Sequence, residues 1–400
     1  MNQQRNHMVD GIRGLCLLGI LLANMLIFQY GLLGTMKLEL FTDSKIDAAA
    51  LWIVQVFIEG SFMPIFAFLF GYGMIKLSES LDRRGLRVKW TLTRRAFGLI
   101  VLGFLHSYFI WEGDILLTYG FTCLALLFFV RRKRKTVIIW GISIACLAAI
   151  MSYGSLNDLS ALESDGIVPY IEKTTPIYQD GSYSDIQGVR QDEEALMKAM
   201  DIPEGLGTLL ITLISLVLYI PMFLFGMYAA KRNWFSKQHG ERLFFAKAAS
   251  LLVTFGLLFK ILHQLMPDQG WTGIGYGLSN FLLPLGYIFL IAACYQLLSL
   301  IRPFIEAVGK LSLSNYLLQS IICTTIFYGY GLGFFGQLGV LNGIFLAIGI
   351  YTILAYLSYL YLKKWTIGPA EHLLRMIVYV TWTGKPRNKR TESLSNKEIS

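Results

Sequence analysis

AFGLIVLGFLHSYFIWEGDILLTYGFTCLALLFFV, residues 96–130, decides how this chain is read. It consists of two apolar runs joined at Gly113-Asp114. Each is close to the length a helix needs to cross about 30 Å of hydrocarbon at roughly 1.5 Å per residue. His106 sits in the first run, about two helical turns ahead of the join. Glu112 and Asp114 lie at the join, and Tyr119 lies just inside the second run. Arg94 and Arg95 precede the pair and the block Arg131 to Lys135 follows it. Positive charge marks the cytoplasmic flanks of spanning helices, so both outer ends face the cytoplasm and the acidic turn faces out. Any chemistry this chain performs is expected near that turn.

The rest of the chain has the same character. Of its 400 residues 55% are hydrophobic, and the mean hydropathy is +0.54. Apolar runs recur throughout, which is the membrane signature. The sequence predicts an all-α membrane protein, a bundle of about ten transmembrane helices near 11–33, 50–77, 96–112, 115–130, 136–153, 208–230, 247–266, 274–300, 311–333 and 338–362. These form one polytopic domain over 1–382, followed by a disordered cytoplasmic tail at 383–400 that is polar and charged. The first run is too long for a signal peptide and lacks a cleavage pattern, so it is read as an uncleaved span. With the N-terminus inside, the segments expected outside hold only Lys37, Lys45, Lys173, Arg190 and Lys198, and the C-terminus is inside too. The outer loop 154–207 carries eleven Asp and Glu against three Lys and Arg. It reads as a solvated cap or as a lid, with helical periodicity in its QDEEALMKAM part.

The net charge of +9 has a simple origin in the cytoplasmic loops, and no nucleic-acid recognition pattern accompanies it. The partners expected are the lipid bilayer and a small-molecule, lipid or glycan substrate. All five cysteines fall in apolar segments, so neither disulfides nor a thiolate metal site is expected. The histidines are scattered, and the soluble-enzyme signatures GxSxG, Walker A, GxGxxG and HExxH are missing.

Polar groups inside hydrocarbon cost several kcal/mol unless partnered, so they are the functional candidates. Arg13 and Asn24 are eleven residues apart, nearly in phase on one helix face. They form a polar track into the bundle, or else Arg13 snorkels while Asn24 bonds a neighbouring helix. Glu59 lies deep in the second span, followed by Pro64, which kinks the helix or frees a carbonyl. It is either functional or paired, with Lys260 or His106 as partner. Lys260 and His263, three apart, share a face in the seventh span. Ser312, Asn315 and Gln319 form a stripe that either glues helices or lines a pocket. Glu371, after Pro369, opens a short amphipathic helix at the inner surface.

Five blocks then carry a resemblance: DGIRGLCLLGILLANM (10–25), FMPIFAFLFGYGM (62–74), LGFLHSYFIWEGDILLTYGF (102–121), VGKLSLSNYLLQS (308–320) and IGPAEHLLR (367–375). On these the chain resembles the YeiB-like family of bacterial multi-pass membrane proteins, which implies a bacterial plasma-membrane location and a loose association with transport. That family in turn resembles transmembrane acyltransferases, the lysosomal heparan-glucosaminide acetyltransferases and the sugar-modifying acyltransferase-3 enzymes among them. The wider likeness rests on Arg13-Gly14 and a polar residue eleven positions later. Acyltransferase-3 enzymes typically have histidine at that later position, where this chain has Asn24. The heparan-type enzymes have Asn there and a catalytic histidine before the second span, whereas here no histidine lies between His7 and His106.

Two functions follow. As an acyltransferase, the protein would take an acyl-CoA donor at a basic cytoplasmic site of Arg13, Arg94, Arg95 and Lys310. No permanently bound cofactor is implied. His106 would act as base toward an outer acceptor, oriented by Asp114 or Glu59, with Asn24, Lys260, Asn315 and Gln319 on the substrate. As a transporter or flippase for a small anionic or acylated solute, it would use Glu59, His106 and Lys260 in mid-membrane.

Overall fold

A computed structural model describes residues 6–42, 44–153, 166–201, 206–235 and 242–386, without the side chains of 193 and 206–216. The expected tail from 387 onward, and 154–165 and 202–205 of the outer loop, lie outside the described residues. Among those described, all long elements are helical: α1 (His7–Gly34), α2 (Lys45–Phe57), α3 (Phe62–Arg83), α4 (Val88–Phe109), α5 (Leu116–Leu126), α6 (Arg134–Met151), α7 (Ile167–Asp180), α8 (Tyr183–Gln191), α9 (Glu193–Ala199), α10 (Leu206–Lys231), α11 (Arg242–Leu265), α12 (Gly270–Cys294), α13 (Arg302–Lys310), α14 (Ser312–Phe327), α15 (Val340–Lys364) and α16 (Pro369–Tyr379).

Among the described residues six helical stretches are long and apolar enough to cross a membrane: α1, α2 with α3, α6, α11, α12 with the turn after it, and α15. α5 and the Val217–Lys231 part of α10 are shorter apolar helices. α4 has the length, but carries Lys89, Arg94 and Arg95.

α1 is the central element. Asn6 caps it, accepting from the N–H groups of Met8 and Val9. Ile12, Cys16, Leu17 and Ile20 are buried within it. It packs against α3, α12, α13, α14 and α15. Its closest neighbour is α13, because the facing glycines let the backbones touch. A Cβ on Gly14 would lie 1.9 Å from the Ile305 carbonyl oxygen, and one on Gly309 would lie 1.8 Å from that of Asp10.

The second expected span is not one helix. Its backbone breaks between α2 and α3, where the N–H groups of Ile58 and Glu59 both return to the Val54 carbonyl and Gly60 takes φ +64°. Pro64 therefore sits in the first turn of α3, where its missing N–H costs nothing, and does not kink a helix interior. The ninth expected span also ends early, at Phe327, and a glycine-rich loop follows.

The described parts of the outer loop are helical as α7, α8 and α9, and the Pro- and Tyr-rich part lies in α7. It covers the end of the bundle holding the α4–α5 turn. Tyr178 stacks on Phe335 with centroids 4.7 Å apart, and the Gly329 N–H bonds the Tyr178 carbonyl at 2.8 Å. The opposite end gathers Arg84, Lys310, Arg375 and Lys385 around one cavity. These are called the cap end and the basic end below.

Candidate functional site

The α4–α5 turn brings two side chains together. Nδ1 of His106 lies 2.8 Å from Oδ1 of Asp114, with both side chains 1% exposed. The other oxygen of Asp114 accepts the Leu117 N–H at 2.7 Å and so caps the start of α5. One carboxylate thus starts one helix and holds a ring on the other. Gly103, one turn before His106, makes this possible. A Cβ there would lie 2.3 Å from Leu117 N and 2.6 Å from Asp114 Oδ2. An ionised carboxylate only accepts hydrogen bonds, so Nδ1 is the donor of this contact and Nε2 is the ring nitrogen left over. Nε2 is buried and has no partner among the described residues. That is the arrangement of a general base with its orienting acid.

Below the pair lies a cavity of about 500 Å³. Arg13, Arg84, Arg95, Lys310, Arg375 and Lys385 line it, with Glu371 as its acidic residue. Its inner end is apolar and aromatic, with Phe66, Leu116, Tyr119 and Tyr316. Arg95 lies over the Phe70 ring at 5.1 Å, and Arg13 pairs with Asp10 at 3.3 Å. Glu371 accepts from the N–H groups of Leu313 and Ser314 and from the Ser314 hydroxyl, which caps α14 rather than its own helix. Tyr316 joins cavity to pair. Its ring tilts over His106 with centroids 5.2 Å apart, and its hydroxyl accepts the Ile115 N–H at 3.2 Å. Tyr119, fully buried, donates to the Met63 carbonyl at 2.7 Å.

The cap holds the helix that carries His106. The last carbonyls of α4 have no partner within the helix. Ser107, Tyr108 and Phe109 receive Arg190 (2.6 Å), Gln187 (2.6 Å) and Tyr183 (2.8 Å), all from one face of α8. Arg190 also pairs with Glu112 at 2.7 Å. A capping box of Ser182 and Asp185 starts α8, and its hydrogen bonds hold the Asp185 carboxyl below the usual range. Burial, then the nearby Glu112 charge, pushes the Tyr178 hydroxyl up, so it remains a donor to Glu112.

Other expected site residues lie elsewhere. Glu59 is exposed at the α2–α3 break, away from His106. Lys260, 1% exposed, donates to the main-chain carbonyls of Gln55 (3.2 Å) and Glu59, not to the Glu59 carboxylate. His263 bonds Thr272 at 2.8 Å. Asn315 is engaged by Ser358 of α15 at 2.9 Å and by the Leu311 carbonyl, which is the helix-glue alternative of its stripe. Arg94 stacks on Trp90 at 5.2 Å and does not line the cavity. Asn24 and Gln319 are buried on α1 and α14. Tyr316, Gly103, Arg190, Arg84 and Arg375 carry no expectation in the sequence. The one available signal is spacing, since Gly103 shares a face with His106 and Tyr316 with Gln319.

Residues 229–381 match the family model described as "Protein of unknown function (DUF418)". The chain is 29% identical to the "Uncharacterized protein YxaH" of Bacillus subtilis (strain 168), over 98% of each chain. It is 28% identical to the "Uncharacterized protein YeiB" of Escherichia coli (strain K12), over 94% of this chain and 96% of the relative. A "39.9 kDa protein in amylase 3'region" of Bacillus acidopullulyticus is 24% identical over 93% of each. No solved structure matches the chain. The similarity to YxaH and YeiB spans nearly the whole chain, the α4–α5 turn and the residues of the basic cavity included.

Proposed function

We propose that this is a multi-pass protein of the bacterial plasma membrane that moves an acyl group from a cytoplasmic donor, acyl-CoA in class, to an acceptor at the outer face. The bundle makes about ten passages, with the basic end and both termini in the cytoplasm, following the bias of Lys and Arg along the chain. One observation carries the reading: a basic cavity of about 500 Å³ ends on Tyr119 and Tyr316, directly beneath the His106–Asp114 pair. Its six cations suit phosphates, and its aromatic inner end suits an acyl chain. His106 Nε2 would take the proton of an acceptor hydroxyl as that oxygen attacks the thioester carbonyl. The C–S bond breaks, and the thiolate leaves and is protonated. Asp114 holds the ring and stabilises the imidazolium. Tyr316 stands between thioester and imidazole, so transfer requires its ring to turn aside. Replacing His106→Ala and, separately, Asp114→Asn is expected to lower envelope acylation at least ~100-fold. Unchanged acyl profiles in both variants would reject the assignment.

A second reading, a transporter or flippase for a small anionic or acylated solute, draws support from the discontinuous α2–α3 segment. Broken helices with an ionisable residue at the break are how many carriers build a mid-membrane site. Saturable uptake into proteoliposomes, abolished by Glu59→Gln, together with unchanged envelope acylation in His106→Ala, would favour it over acyl transfer.

A further inference from the structure

The stretch after α15 meets the basic cavity twice. α16 forms one wall, with Glu371, Arg375 and Tyr379, and the turn that follows brings Gly384, Lys385 and Pro386 back to the same cavity. The two pieces are held very differently. α16 is anchored. Its Leu374 and Val378 are buried, and a Cβ on Gly98 of α4 would lie 2.8 Å from the Leu374 side chain. Glu371 bonds the start of α14, and the Ala370 N–H bonds the Ser314 hydroxyl at 3.2 Å. The turn has little to hold it. Val380 is 62% and Trp382 88% exposed. Among the described residues, the hydrogen bonds of 382–386 stay inside the turn: the Gly384 N–H to the Thr381 carbonyl at 3.1 Å, and the Thr381 hydroxyl to the Lys385 carbonyl at 2.8 Å. Between helix and turn stands Val380 at φ +52°, a strained backbone for a β-branched residue. A segment with so few contacts opens locally without disturbing the helix beside it.

Charge decides where the turn rests. Arg84 beside the end of α3, Arg95 of α4 and Lys310 of α13 line the cavity, and none has an ion-pair partner among the described residues. Lys385, on the turn, has none either. The carboxylate of Glu371, the acid in this wall, is spent on α14. Like charges around one partly desolvated space repel, so an empty cavity pushes Lys385 away from the other three. Several negative charges placed among them turn that repulsion into attraction. We propose that residues 380–386 are a clasp over the basic cavity, hinged at Val380, which a ligand carrying several phosphate charges closes by drawing Lys385 toward Arg84, Arg95 and Lys310. The clasp takes from the acyl-transfer reading only that the cavity holds a phosphate-bearing ligand. Three cations of the site are thus fixed in the bundle and a fourth is delivered by a moving segment. Such a device acts on departure more than on arrival, because the hinged cation must swing away before the ligand leaves.

The test follows amide hydrogen exchange and probe release in the full chain in detergent. The probes are coenzyme A and inorganic tripolyphosphate, with potassium chloride at matched ionic strength as the control. Either probe is expected to slow exchange at 381–385 about ten-fold and to leave 107–115 unchanged. Lys385→Gln should remove that protection and speed release of the probe about ten-fold, and Lys385→Arg should restore both. Gly384→Val works through shape instead. Its Cβ would lie 3.2 Å from that of Arg375, so the turn no longer seats and release quickens alike. Val380→Asn suits the left-handed backbone and should slow release. None of the four variants is expected to lower the Tm. Protection by tripolyphosphate alone would keep the clasp and sink the acyl-CoA reading. Coenzyme A binding with exchange at 381–385 unchanged, or with Lys385→Gln releasing it like the parent, overturns the clasp and leaves that reading standing. If neither probe binds, both fall.

Discussion

The α4–α5 turn and the α2–α3 break each set a basic side chain near a carboxyl-bearing residue, and they are built in opposite ways. At the α4–α5 turn the contact runs from side chain to side chain, with His106 Nδ1 on Asp114 Oδ1 and both groups buried. At the α2–α3 break it runs from side chain to backbone. There the Lys260 ammonium serves the exposed carbonyls that end α2, and the Glu59 carboxylate stays exposed. A base and an acid side by side therefore do different work in the two. In one region the acid orients a ring whose second nitrogen is left without a partner among the described residues. In the other the cation replaces a missing turn of helix, much as a C-terminal Lys satisfies end carbonyls.

The largest expected effect tests the second half of this contrast. Lys260→Met strips the break of its donor and should destabilise the protein by about 4 kcal/mol, since each hydrogen bond from a charged group is worth roughly 1.5–3. The Tm in detergent would show it, and an unchanged Tm would mean the carbonyls find other partners. Next comes Arg190→Ala, which removes one of the three bonds between the cap and the α4 end and takes the cation from Glu112. We expect a loss of about 3 kcal/mol, with amide exchange rising at 107–115 and not at the α2–α3 break. Equal protection in both regions would show that the cap does not hold the turn. The smallest effect is Glu59→Gln, expected below about 0.5 kcal/mol because the carboxylate is exposed. A loss like that of Lys260→Met would make the two regions alike after all.

How much of this could be read in advance follows the same division. The helical runs and the His106–Asp114 pair were legible, because hydrophobic length and a short tight turn are local signals. The break was not, since what stabilises it is a lysine 201 residues away from Glu59. Pro64 reads alike inside a helix and in its first turn, so sequence could not choose between them. The Pro- and Tyr-rich part of the outer loop is held as helix by Tyr178 packing on Tyr328 and Phe335, contacts with no local trace. Arg94 and Arg95 look equivalent in a basic block. Yet successive residues on a helix point about 100° apart, so only one of them reaches the cavity. Asn315 and Gln319 split the same way, one spent on Ser358 and the other left with an idle amide.

Three consecutive carbonyls at the top of α4 are claimed by three side chains of α8. A molecule arriving from directly above would have to undo all three bonds and the Arg190–Glu112 contact together. One sliding in along the flank would undo none. The roof is thus clamped to the very wall that bears the imidazole, so cap and α4 can only move as one piece while those bonds last.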